Sequence, residues 1–134
     1  MSNDLEEGTT LALDFTKLNQ VASCGQDVVP VAVQDVESGD VLLIGYANRQ
    51  ALDHTLKERV APFWSTSRNE LWIKGATSGD FLDVVDVRVN CEQNSLLYRV
   101  TLRGAGVCHT TDPDGAHRPG CYYRKIGEES LEHL

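Results

Sequence analysis

The sequence predicts a small α+β domain, mostly antiparallel β-sheet with one or two helices. Two observations predict it. Runs of β-branched and aromatic residues come in pairs around short polar turns, and one stretch ahead of Pro62 carries helical spacing behind an N-cap residue. A chain of 134 residues suits one domain with a core of its own.

The elements follow in order. Residues 1–10 are polar and acidic and read as a flexible leader, with a single domain over 11–126 and an acidic tail over 127–134. Leu11 to Leu18 reads as a short amphipathic element, and Cys24-Gly25-Gln26 as loop. Val28–Val36 and Val41–Tyr46 are β-branched, with the turn residues Glu37-Ser38-Gly39-Asp40 between them, so they form a hairpin. Asn48 stands where an N-cap belongs, and Ala51, Leu52, Thr55 and Leu56 fall at helical spacing. That helix ends near Arg59, because Pro62 follows. Phe63–Arg68 reads as a short aromatic strand running into a hydroxyl-rich turn, and Leu71–Lys74 as another strand, closed by Gly75–Asp80. From Phe81 to Asn90, Val85, Val87 and Val89 alternate with Asp86 and Arg88, and Leu96, Tyr98, Val100 and Leu102 alternate again. Cys91–Asn94 is then the turn of a second long hairpin. A polar loop runs from Thr110 to Gly120, and Cys121–Ile126 reads as a last strand.

Composition excludes several function classes. The net charge of −8 argues against binding a nucleic-acid polymer, although a local basic pocket for one phosphate is compatible with it. No apolar run is long enough to span a membrane, and residues 1–10 lack the pattern of an export signal, so a cytoplasmic protein is expected. In that setting four cysteines are read as thiols or metal ligands rather than as a disulfide framework.

Three of the four cysteines, Cys91, Cys108 and Cys121, lie between Asn90 and Cys121 together with His109 and His117. Three protein ligands plus one open position is how a catalytic zinc is held. No Cys-x-x-Cys pair occurs, so ligands would come from separate turns, which favours a catalytic site over a structural knuckle. The competing reading makes each cysteine a packed core residue. Cys24 stands apart and is read as structural. Ser65, Ser67, Arg68, Lys74 and the Gly75–Gly79 turn offer hydroxyls, close backbone approach and positive charge, which a phosphate pocket needs. They read first as ordinary turns between strands.

With these residues set out, the chain resembles the phosphoribosyl-AMP cyclohydrolase family of histidine biosynthesis. The matching pieces are Val31–Asp35, Val41–Leu52 with Tyr46-Ala47-Asn48, Trp64–Arg68, Trp72–Gly75, Thr77–Gly79, Cys91, Cys108-His109 and Cys121–Arg124. They run in family order over roughly residues 28 to 126. The resemblance implies an intertwined α+β homodimer that hydrolyses the N1–C6 bond of the adenine ring in N1-(5-phosphoribosyl)-AMP. It implies zinc on Cys91, Cys108 and Cys121, one of them from the neighbouring subunit. It implies substrate contacts from Trp64, Ser65, Ser67, Arg68, Trp72, Lys74, Gly75, Thr77, Ser78 and Gly79. For His109 the options are structural neighbour, fourth ligand and proton shuttle. A fourth ligand would close the open position, so His109 is expected to deliver the proton to N1 as the ring opens.

The chain departs from the family pattern twice. Where the family reads Asp-Cys-Asp-x-Asp and binds magnesium, this chain reads Asn90-Cys91-Glu92-Gln93-Asn94. Glu92 is the one carboxylate left in a degenerate magnesium site, so dependence on magnesium is expected to be weak or absent. The interval between Cys108 and Cys121, twelve residues, is longer than the family's, with His117, Asp112 and Asp114 inside it. A paralogue acting on another purine-like or heterocyclic nucleotide, and a non-catalytic zinc or nucleotide-binding module, are the alternative readings.

Overall fold

A computed structural model of the chain describes residues 4–74, 79, 81–104 and 106–134. The fold is α+β. Helices α1 (Asp4–Glu7) and α2 (Lys17–Ala22) precede strands β1 (Val29–Asp35) and β2 (Val41–Ala47). Helix α3 (Arg49–Glu58) follows, then β3 (Pro62–Ser65), β4 (Glu70–Ile73), β5 (Leu82–Val89), β6 (Leu96–Leu102), β7 (Arg124–Ile126) and β8 (Leu131–His133).

The main sheet has the order β2-β1-β6-β5. β1 and β6 run parallel, whereas β1–β2 and β5–β6 are antiparallel hairpins. The first hairpin turns where the sequence expects it. Gly39 takes φ +81°, a left-handed value that costs glycine nothing. Asp35 closes that turn by accepting from Glu37 N–H at 2.9 Å and from the Ser38 hydroxyl at 3.1 Å.

Helix α3 starts on Asn48, whose Oδ1 accepts from Ala51 N–H at 2.9 Å. It stops at Arg59, which adopts the left-handed φ of 59° while its N–H donates to Thr55 O. The buried stripe is Ala51 and Thr55; Leu56, which the spacing also offered, faces solvent. Asn48→Ala is expected to cost about 1 kcal/mol of stability, the usual worth of such a cap. Urea unfolding checks it; an unchanged midpoint would mean that packing alone fixes the helix start.

The core lies between the main sheet, α3 and the β3–β4 hairpin. Val31, Val33, Leu42, Phe63, Leu82, Tyr98, Val100 and Val107 are buried there. β3 comes close to β2 because Gly45 has no side chain: a Cβ there would lie 2.6 Å from a Phe63 ring carbon. That approach carries β3 and β4 over the sheet and positions the pocket described below.

The structure corrects three sequence expectations. β5 does not hold one alternation, because the register shifts between Val84 and Asp86. This bulge turns Val85 outward and leaves Leu82 and Val84 as the buried pair. The 11–18 stretch is not an amphipathic element: α2 begins only at Lys17, after Asp14 accepts from Thr16 N–H, and Leu11, Leu13, Phe15 and Leu18 are exposed. Leu11 and Leu13 only flank a surface cleft beside Cys121, Tyr122, Ile126 and Leu131, without being buried in it. The acidic stretch 127–134, expected as a tail, contains β8, which pairs with β7. Among the described residues no helix is long and apolar enough to cross a membrane.

Candidate active site

The two later cysteines are brought together by the 108–121 loop folding back on itself. Cys108 N–H donates to Arg118 O at 3.1 Å, and Arg118 N–H donates to Thr110 O at 3.1 Å. Gly106 permits this return, since a Cβ on it would collide with the Arg118 carbonyl. The tip turns at Gly115, with Asp112 Oδ1 accepting from the N–H groups of Asp114 and Ala116. His117 braces the base of the loop through Nδ1 against Cys108 O at 2.9 Å. At the far end Cys121 N–H donates to Leu42 O on β2 at 2.7 Å.

Cys108 is buried, with its sulfur 3.0 Å from the Thr110 hydroxyl. Cys121 is exposed as a residue, and its thiol hydrogen-bonds with that of Cys108. Burial, and then the neighbouring Cys108, push the Cys121 thiol up to about 12, with the Lys74 ammonium pulling the other way. Two adjacent thiols are a donor set that a soft or borderline cation satisfies, because the cation removes the repulsion between the thiolates. The pair therefore fits zinc.

Cys91 does not join them within one chain. It sits in the β5–β6 turn, beyond the Val89–Leu96 pair. Cys121 is tied to β2, and β1 lies between β2 and β6. Two strand spacings amount to roughly 10 Å, whereas two thiolates on one zinc lie within about 4.6 Å, twice the Zn–S bond. Consistent with this, among the described residues no three His, Cys, Asp or Glu side chains of the chain converge on one point. Cys24 follows α2, and its thiol reaches Gln26 O.

Cys121 opens onto a cavity of about 460 Å³, which gathers residues from four parts of the chain. Ser65, Ser67 and Arg68 come from the end of β3 and its turn, and Trp72 and Lys74 from β4 and the residue after it. His109 comes from the loop, and Leu43 and Ile44 from β2. The Ser65 and Ser67 hydroxyls are 3.4 Å apart, and Ser65 Oγ accepts from Arg68 N–H. Lys74 is buried, with its ammonium 5.7 Å from the centre of the half-exposed Trp72 ring.

Of the expected site residues, the cavity unites Ser65, Ser67, Arg68, Trp72, Lys74, His109 and Cys121. Trp64 is not among its walls, and its indole N–H donates to Asn69 Oδ1. Gly79 adopts φ +81° away from the lining, and Glu92 lies exposed in the Cys91 turn. Gly75, Thr77 and Ser78 lie outside the described residues.

Sequence reasoning missed the apolar wall of Leu43, Ile44 and Val107. It also missed the part played by residues 4–10. Glu6 Oε1 meets His109 Nε2 at 2.9 Å, and Glu7 pairs with Arg118 through both oxygens at 2.8 and 2.9 Å. The Arg118 guanidinium holds the Glu7 carboxyl below the usual carboxylate range and stacks 4.0 Å over the Tyr123 ring. Arg124 donates to the carbonyls of Leu5 and Gly8.

Fold and cavity together define a small α+β protein with a cysteine, Cys121, on the wall of a partly basic pocket and a second, buried cysteine behind it. Comparison with known proteins narrows this. The family model for phosphoribosyl-AMP cyclohydrolase matches residues 43–123. A protein named phosphoribosyl-AMP cyclohydrolase from Chlorobium chlorochromatii is 44% identical over 98% of this chain and 88% of its own length. Proteins of that name from Chloroherpeton thalassium and Methanothermobacter thermautotrophicus are each 41% identical. They match 77% and 81% of this chain, and 69% and 73% of their own lengths. The chain belongs to the phosphoribosyl-AMP cyclohydrolase family.

Proposed function

We propose that this chain hydrolyses the N1–C6 bond of the adenine ring of N1-(5-phosphoribosyl)-AMP, as a cytoplasmic enzyme of histidine biosynthesis. The observation that carries the reading is the single cavity in which Cys121, His109, Arg68 and Lys74 meet. Arg68, Lys74 and the Ser65 and Ser67 hydroxyls bind phosphate, combining positive charge with directed donors. The exposed part of Trp72 offers a flat apolar face to the purine. His109 delivers a proton to N1 as the bond to C6 breaks. Its Nε2 is engaged by Glu6, which fixes the ring and leaves Nδ1 for the substrate.

Zinc belongs on Cys108 and Cys121 of one chain with Cys91 of the partner subunit, in a homodimer. When bound, it acidifies water towards neutral pH and so supplies the nucleophile for an electron-poor ring carbon. The separation of Cys91 from the other two cysteines supports this sharing. Chelation is then expected to loosen the dimer as well as stop turnover; a monomer by light scattering that keeps one zinc per chain would contradict the shared site.

The direct test is a turnover assay with phosphoribosyl-AMP and metal-replete protein, following the ring-opened product. Turnover of a different purine nucleotide instead would mark a paralogue. Tight nucleotide binding with no turnover would mark a non-catalytic module.

A further inference from the structure

The turn that carries Cys91 is tied more heavily than a connection between two strands requires. Asn90 Oδ1 accepts from the backbone N–H of Asn94 at 2.8 Å and from that of Ser95 at 2.9 Å. Both partners can only donate, so the orientation of the Asn90 amide is fixed. Its Nδ2 is therefore the atom that meets Asn94 Oδ1, at 2.6 Å. Gln93, at a left-handed φ of 55°, donates its N–H to Asn90 O, and Asn90 N–H donates to Ser95 O.

This arrangement does not fit a magnesium ion. A hard cation needs oxygen lone pairs turned towards it. Here both lone pairs of Asn90 Oδ1 face N–H groups, and Asn94 Oδ1 faces the Asn90 amide. Glu92, exposed, is the one carboxylate between residues 90 and 95. Where an Asp-Cys-Asp-x-Asp turn offers carboxylates to a dication, this chain joins residues 90 and 94 by an amide N–H of Asn90 donated to Asn94 Oδ1.

We infer that the Asn90–Asn94 amide pair replaces the dication, holding the Cys91 turn shut with no metal and positioning Cys91. The positioning of Cys91 as a ligand rests on the zinc reading above; the replacement of a cation by an amide does not. A pattern among variants follows. With Asn90→Asp, the carboxylate keeps both backbone bonds, and Asn94 can turn its own amide to donate. With Asn94→Asp, the Asn90 amide still donates. Only the double variant removes every N–H between the two side chains and leaves two carboxylates facing each other, an arrangement that a dication relieves.

The experiment is thermal unfolding of the full-length wild type, both single variants and the double variant, with and without millimolar magnesium. Manganese binding by electron paramagnetic resonance and zinc content are measured on the same samples. Wild type and single variants are expected to melt independently of magnesium and to bind no manganese at this turn. The double variant is expected to melt about 3–8 °C lower than the singles account for. Magnesium restores it, and manganese binds at least about tenfold more tightly than to wild type. A double variant that fails to fold should be recovered by refolding in magnesium; failure to recover overturns the inference. So does a magnesium-dependent wild type, or a double variant as stable as wild type without metal. Wild type lacking zinc but showing the magnesium pattern would sink the zinc reading alone. Loss of the pattern with zinc intact would sink only the amide clasp.

Discussion

Cys108→Ser and Cys121→Ser are each expected to lose the zinc and reduce turnover to background. Cys108 has no room to be a bystander: it is buried, its sulfur touches the Thr110 hydroxyl, and its neighbour is the thiol pushed up to about 12. Serine keeps the shape and the hydrogen bond but offers a hydroxyl that does not ionise near neutral pH, so the second thiolate loses its partner on the metal. Cys91→Ser is expected to lose zinc too and to weaken the dimer at the same time. Cys24→Ser, with its thiol directed at Gln26 O, is expected to keep zinc and activity. Metal analysis of the four purified variants decides the matter; zinc retained in all four removes the assignment.

His109→Asn is expected to retain zinc and nucleotide binding while kcat falls roughly 10²–10⁴-fold, the span of a general acid–base group. Asparagine preserves a polar side chain that can still meet Glu6, so binding and fold are conserved while proton transfer is not. Normal turnover of this variant would remove His109 from the chemistry. His117 is not placed to substitute, because its Nδ1 is engaged with the Cys108 carbonyl at the base of the loop. Loss of zinc from His109→Asn would instead make the residue a ligand.

What the sequence made legible was what local chemistry decides. Gly39 and Asp35 close the first hairpin, and Asn48 starts α3, through contacts within a few residues, so composition revealed them. The bulge in β5 was illegible because it exists only in the pairing with Arg99 and Val100 of β6. β8 was hidden for the same reason: an acidic stretch becomes a strand only through Arg124–Ile126 opposite it. At the site, thiols, hydroxyls and basic residues stood out by type, and the resemblance ordered them. Leu43, Ile44 and Val107 did not stand out, since apolar residues lining a cavity read like any core positions. Glu6 and Glu7 meet partners more than a hundred positions away, a separation over which no periodicity or motif carries a signal.

That separation has a consequence for how the chain is made. Thr9 O accepts from Leu131 N–H, and the Tyr123 hydroxyl donates to Glu6 O, so residues 6–9 are stitched to the segment 123–131. During synthesis residues 5–9 emerge before the segment 109–131 that supplies these partners, and they can pair only once it has been made. The β1–β2 hairpin and α3 close over short spans and are available early, whereas the pairs of Glu6 with His109 and Glu7 with Arg118 close over more than a hundred positions and come late. A chain halted just before residue 109 would therefore contain every strand of the main sheet but lack the partners of Glu6 and Glu7.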